Sequence, residues 1–300
     1  MSSAALAGET AMTDQSSKPR GAFLLGVGAQ KAGTSWLHKQ LHNRADADFG
    51  CLKEYHVHDA RTIPELARFR RLGIRATEPR TWVQPRTWMR QWFIQNPTRY
   101  TDYFSWLLRR PRFRGGQIRL TGDITPSYAA LNADTLGEIK TNFEQRGIPV
   151  KPVFLMRDPL ERLISSQRMK LRKQGLKDPA SEVETLKQRV AKGRGLRGDY
   201  GQTLDALDQA FGLEHCFIGL FESLFTPDTY TQLCSFLGIP YEEPIWAEKI
   251  NVSATSTVIP DDLLATMGRM HENDLRRAAE ALPNTDFQTL WPTASRWCKA

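Results

Sequence analysis

Three short stretches of the chain hold residue types, at spacings, that do chemistry on anions and protons. The first is Gly28-Ala29-Gln30-Lys31-Ala32-Gly33-Thr34-Ser35-Trp36, directly after the apolar run AFLLGV. A buried strand, a glycine turn and a helix start together make an anion site. The first turn of a helix carries N–H groups without intrahelical partners and sits at the positive end of the dipole. Gly33 lets the backbone approach an anion, Thr34 and Ser35 add hydroxyl donors, and Lys31 adds a full charge that can reach a bridging or leaving oxygen. Lysine stands before the final glycine, not directly before Ser/Thr, so this is not the GK[ST] loop of nucleoside triphosphatases. No metal-holding acid stands out to match such a loop.

The second stretch is VFLM followed by Arg157-Asp158-Pro159 and, two helical turns on, Ser165. An arginine at a strand end offers a planar fork of donors to a phosphate, and a serine on the following helix can donate to the same group. Alone, the motif reads better as an Arg–Asp surface pair capping a helix. The third stretch is Leu52-Lys53-Glu54-Tyr55-His56-Val57-His58-Asp59. Glu54 or His56 can take a proton and Lys53 can steady a negative charge. A metal reading also exists for Glu54, His56 and His58, with His38 and His42 one helical turn apart. No further ligand is fixed by spacing, so no metal is expected.

The elements that must position these residues alternate. Strands are predicted at 22–27, 117–121, 153–156 and 215–220. Helices are predicted at 34–41, 99–108, 132–146, 159–172, 200–211, 227–237 and over much of the chain beyond 260. Short continuous apolar runs alternating with helices argue an α/β fold with a parallel central sheet flanked by helices, three layers deep. Residues 61–110, rich in arginine and tryptophan and broken by proline, read as an insertion over the acceptor side. There Trp82, Trp88, Trp92, Tyr103, Phe104 and Trp106 serve either a pocket wall or the core. Residues 174–198, charged and dotted with glycine, read as a mobile loop. The basic runs 68–75 and 168–177 are assigned to surface for the first and left open for the second, between surface and recognition of an acidic acceptor.

The chain has 300 residues and a net charge of +8, which favours anionic ligands without choosing among them. A single domain over 21–300 is expected, after a disordered tail at 1–20. The tail lacks the apolar core of a secretory signal and no apolar run is long enough to span a bilayer, so the expected location is the cytoplasm. The four cysteines have no metal-ligand or redox spacing and are expected as thiols. The sequon Asn251-Val252-Ser253 carries little meaning in that setting.

Taken together, KxGTSWL after a buried strand and the later Arg157-Asp158-Pro159…Ser165 resemble the two nucleotide motifs of sulfotransferases that use 3′-phosphoadenosine-5′-phosphosulfate (PAPS). Glu54 within Lys-Glu-x-His is similar to the heparan-type, carbohydrate branch. The resemblance extends more weakly over residues 22–240, through Asp123-Ile124-Thr125-Pro126-Ser127-Tyr128, Gly198-Asp199-Tyr200 and Phe236-Leu237-Gly238. It implies a P-loop-like fold and in-line transfer of a sulfuryl group from PAPS to an acceptor hydroxyl or amine, leaving the 3′,5′-bisphosphate PAP. It implies donor binding by Gly28, Gln30, Lys31, Ala32, Gly33, Thr34, Ser35, Trp36, Arg157, Ser165 and Tyr200. It implies catalysis by Glu54 as base and Lys31 on the leaving oxygen, with His56 and Lys53 assisting. No metal is required, and the partner is a small-molecule or carbohydrate acceptor, not nucleic acid. Two departures stand out: Ile124 replaces a lysine common in that branch, and no Lys-Gly-Arg loop follows residue 250. Two rivals stay open, an ATP-dependent phosphotransferase on the same architecture and a non-enzymatic binder of polyanions.

Overall fold

The computed structural model describes residues 21–70, 85–110, 116–176, 178–247 and 257–298. The 1–20 tail, Trp82, residues 71–75 of the first basic run, Lys177 of the second, and the 251–253 sequon lie outside the described residues.

Strand β1 (Ala22–Gly28) is buried along its whole length, as expected of a central strand covered on both faces. It runs through a turn into α1 (Thr34–His42). The chain then forms β2 (Ala47–Asp48), a short α2 (His58–Thr62) and a 3₁₀ turn over Pro64–Arg70. Next come α3 (Pro85–Gln95) and α4 (Pro97–Arg109), both opened by proline, then β3 (Leu120–Ile124) and α5 (Ala133–Glu144). Strand β4 (Val150–Met156) leads into α6 (Pro159–Lys173), then α7 (Pro179–Ala191), α8 (Tyr200–Phe211), β5 (Phe217–Leu220) and α9 (Pro227–Leu237). Helices α10 (Asp261–Ala281), α11 (Phe287–Leu290) and α12 (Pro292–Trp297) complete the described chain.

The five strands form one sheet in the order β2-β3-β1-β4-β5, with every pairing parallel. Helix starts follow local chemistry. Asp158 accepts from the N–H groups of Leu160 and Glu161 at the head of α6, and Asp178 caps α7 through Ser181 N–H. Asp199 and Thr226 cap α8 and α9 in the same way.

Three expectations shift. The strand expected at 117–121 lies at 120–124, because the register with β1 pairs Ala22 with Leu120 and Gly26 with Ile124. Gly122 and Asp123, expected just beyond the strand, are therefore inside it. Strand β2 has two residues, too few to leave a periodic signal. The segment 174–198 contains helix α7, whose start is set by Asp178 and Pro179.

Candidate functional site

In an open parallel sheet, ligands bind beyond the carboxyl ends of strands where the chain's direction of travel across the sheet reverses. Here that place is the end of β1, between β3 and β4. The ends of these three strands deliver Gly28, the 123–128 segment and Arg157.

The turn after β1 is tightly specified. Gly33 caps α1 with φ 89°, and a β-carbon there would sit 2.5 Å from Leu224 Cδ2. Lys31 itself has φ 73°, a backbone region that non-glycine residues enter at a cost and mostly at functional sites. No side chain caps α1, and its first turn holds no acidic residue. Trp36 points into the core, 2% exposed and stacked on Trp246 at 5.9 Å, so its side chain anchors α1. Ala29 and Ala32 are also fully buried. The loop surface left to a ligand is its backbone together with Gln30, Lys31 and Ser35.

Arg157 lies across this loop, with Nη1 donating to the Lys31 carbonyl at 3.4 Å and its guanidinium over the Phe221 ring at 4.6 Å. Tyr200 is fully buried and its hydroxyl donates to the Arg157 carbonyl at 2.7 Å. It thus holds the strand end that carries Arg157. Ser165 follows two turns along α6 and is nearly buried. Lys31 is held down at about 8 by burial and by the charges of Arg172, Arg157, Lys53 and Lys173. Arg172 and Lys173 belong to the second basic run, and this is the signal by which they were findable.

The acid–base segment is seated on the end of β3. Tyr55 N–H donates to Thr125 Oγ1 at 3.0 Å, and Val57 N–H to the Tyr128 hydroxyl at 3.2 Å. Asp123 anchors this bench, accepting from Tyr100, Tyr128 and Thr125 hydroxyls at 2.9, 2.8 and 2.6 Å. Burial pushes its carboxyl up to about 6 against those hydrogen bonds. Arg90 on α3 holds the other side, donating to the carbonyls of Glu54 and Tyr55 at 3.0 and 2.9 Å. Ile124, at the place of the absent lysine, is fully buried and packs on Gly26.

On this bench the side chains form a chain of contacts. Lys53 Nζ donates to Ser35 Oγ at 2.6 Å and lies 3.3 Å from Glu54 Oε1. Glu54 Oε2 lies 3.3 Å from His56 Nε2, and His56 Nδ1 lies 2.7 Å from Asp59 Oδ2. Ser127 Oγ also donates to Asp59, at 2.5 Å. A histidine between two carboxylates donates from both ring nitrogens. Burial disfavours its charge, but the hydrogen bonds to Asp59 and Glu54 prevail and raise the imidazole above its usual range. For Glu54, burial favours the neutral acid, yet the His56 hydrogen bond and the Lys53 charge hold the carboxyl at about 2. His56 has φ 54°. It and Lys31 are the non-glycine residues with positive φ among the described residues.

Asp59 and Ser127 were not singled out from sequence, although both stand in stretches that were. His58 departs from its neighbour: it is buried between Tyr100 and Tyr128 and driven down to about 3 by burial, then by Arg61. It is a core residue. Among the described residues no group of three potential metal ligands comes together. Of the aromatic residues weighed for an acceptor wall, Phe104 is core, while Trp88, Trp92 and Trp106 are exposed.

The C-terminal helices, for which sequence suggested no role, brace this site. Asp158 Oδ2 accepts from Ala294 N–H at 2.8 Å. Glu222 accepts from Asp158 N–H and Trp291 Nε1, each at 3.0 Å. Buried Asp274 on α10 accepts from Tyr200 N–H at 2.9 Å and pairs with Arg194 at 2.6 Å. Among the described residues no helix is long and apolar enough to cross a membrane.

No family model matches the chain, and no curated protein matches its sequence. Solved structures do match. A sulfotransferase from Alicyclobacillus acidocaldarius aligns with a TM-score of 0.58 at 18% identity, covering 90% of this chain and 98% of that one. The sulfotransferase domain of the Synechococcus PCC 7002 olefin synthase aligns at 0.45 and 16%, covering 93% and 92%. The sulfotransferase domain of the curacin biosynthetic pathway aligns at 0.43 and 17%, covering 88% and 98%. The chain thus has the α/β fold of the Alicyclobacillus sulfotransferase, a five-stranded parallel sheet flanked by helices in a P-loop-like arrangement.

Proposed function

We propose that the protein is a PAPS-dependent sulfotransferase. The observation that carries this reading is Lys53, whose ammonium joins Ser35, at the start of the anion-binding helix, to Glu54, the candidate base. One side chain thereby connects the place for a phosphosulfate with the place for a proton. The cations crowded around Lys31 favour a donor with several negative charges. The loop after β1 would cradle the 5′-phosphosulfate, and Arg157 with Ser165 would hold the 3′-phosphate. Tyr200 would act through Arg157.

In the transfer, the acceptor oxygen forms a bond to sulfur as the bond from sulfur to the 5′-phosphate oxygen breaks. The acceptor proton goes to Glu54, and Lys31 meets the charge that develops on the leaving oxygen. At about 2, Glu54 is a weak base while Lys53 and His56 both neutralise it. When Lys53 turns from Glu54 to the sulfuryl oxygens, the carboxylate loses a cation and its basicity rises. His56, fixed by Asp59, keeps the carboxylate aimed. The products are a sulfated acceptor and PAP.

The test is radiolabelled sulfur transfer from PAPS to a library of hydroxyl and amine acceptors. Glu54→Gln is expected to lower kcat about 100- to 10,000-fold with the affinity for PAP retained. Full activity in Glu54→Gln would remove Glu54 as the base. Turnover of ATP with magnesium in place of PAPS would overturn the donor.

A further inference from the structure

We propose that the acceptor carries an oxyanion group, a carboxylate, sulfate ester or phosphate ester. It is received in the cavity between the 64–70 turn, α6 and residues 194–198. The assignment rests on the donor reading above and names the substrate class for the same site.

The cavity has a volume of about 880 Å³, a size suited to a ligand larger than one small anion. It borders the anion loop at Gln30. Seven cationic side chains line it against one carboxylate, Glu65. Neither Arg157 nor Ser165 is part of the wall. On α6 the wall includes Arg162, Ser166, Lys170 and Lys173, which recur at helical spacing as one stripe beside Leu163 and Gln167. Ser165 is turned about 100° from Ser166. The helix therefore offers adjoining stripes to the nucleotide and to this cavity.

The basic lining is built into the fold. Arg162 is only 5% exposed and its Nε has no hydrogen-bond partner. Its guanidinium lies over the Tyr200 ring at 5.9 Å, in space that Gly198 leaves free; a β-carbon at Gly198 would collide with Nη2. Arg189 stands near enough for the Arg162 charge, after burial, to lower its affinity for a proton. Arg197 is likewise lowered by burial and then by Arg68, and its charge is felt by Glu54 and Asp59. Lys173 in turn acts on Lys31. The lining thus runs from the transfer residues to a buried arginine whose Nε lacks a hydrogen-bond partner. Burying a charge without a partner is costly, and an oxyanion with several lone pairs offsets that cost. Arg194 is committed elsewhere, to Asp274 and Asp199, which leaves Arg68, Arg162, Arg189, Arg197, Lys170 and Lys173 as the recognition set.

The experiment titrates PAP first, by calorimetry, and then the PAP-saturated protein with phenyl β-glucoside, phenyl β-glucuronide, and the 6-sulfate and 6-phosphate of phenyl β-glucoside. At least one anionic probe is expected to bind about tenfold or more tighter than the neutral glucoside. The preferred member identifies the oxyanion. Arg197→Gln, and Gly198→Ala through displacement of Arg162, should each erase that preference while the PAP affinity changes less than about twofold. A melt checks that both variants fold, and Arg197→Gln stands alone if Gly198→Ala does not. Equal binding of neutral and anionic probes, a preference untouched by Arg197→Gln, or displacement of PAP by the anionic probes would each overturn the proposal and leave the donor reading standing. Failure of the wild type to bind PAP in the first titration would strike the donor reading, and the acceptor assignment with it.

Discussion

The anion loop and the acid–base segment are neighbours joined by Lys53, yet they are built on opposite electrostatic plans. Around Lys31 the surroundings are of one sign, and burial together with Arg172, Arg157, Lys53 and Lys173 brings its ammonium down to about 8. Around His56 each charge has a partner of the other sign: Glu54 on one ring nitrogen, Asp59 on the other, Lys53 beyond Glu54. The first region gives up self-consistency to favour negative ligands. The second spends hydrogen bonds on fixing geometry. On the proposed function, anion affinity and proton-transfer precision come from separate parts of the chain, and mutations should separate them.

The sharpest break is the effect on rate and stability together. Lys31→Met should lower kcat about 100- to 1,000-fold by removing the cation at the leaving oxygen. It should also raise the Tm, by about 2 °C, because a half-buried cation among cations is removed. Asp59→Asn should lower both. It removes a fully buried acceptor of His56 and Ser127, at a cost of about 1–3 kcal/mol in urea unfolding. If Asp59 only positions His56, the rate should fall about 10- to 100-fold through kcat with KM little changed. Equal stability changes in the two variants would erase the contrast.

A smaller effect follows from pH. Lys31, lowered to about 8, is charged below that pH and neutral above it. PAP affinity should therefore be full at pH 7 and weaken as pH rises through 8, by up to about tenfold per unit while that single group titrates. Above pH 8 binding should take up a proton, seen as a dependence of the calorimetric heat on buffer ionisation enthalpy. Glu54, at about 2, is ionised throughout that range and adds no step of its own.

What could be read from sequence follows the same division. The strand, turn and helix at 22–42 were legible because their signals are local: an apolar run, glycines and a helix-spaced apolar set stand close together in the chain. Most of the alternating elements were legible for the same reason, since apolar runs and prolines mark them directly. Strand β3 slid by three residues because its ends are set by pairing with β1, not by its own Gly122-Asp123. The 123–128 segment resembled a motif, but its purpose as the seat of Tyr55 and Val57 is a relation across some 70 residues. The contrast between His56 and His58 is set by which face of the chain meets Tyr100 and Tyr128. No role was assigned to Arg162 or Arg197 from sequence; α6 and the 194–198 turn place them in one hollow.

The bracing by α10 and α12 has a consequence in time. Asp158 reaches Ala294 across 136 positions, and Tyr200 reaches Asp274 across 74. Contacts so distant along the chain close late. During synthesis the strand–helix unit bearing Arg157 emerges long before the segments that fasten it. A ribosome-bound chain halted before residue 260 should hold the turn after β1 in place but leave Arg157 loosely set, so that, on the proposed function, competence for the nucleotide should arrive only as the last helices dock.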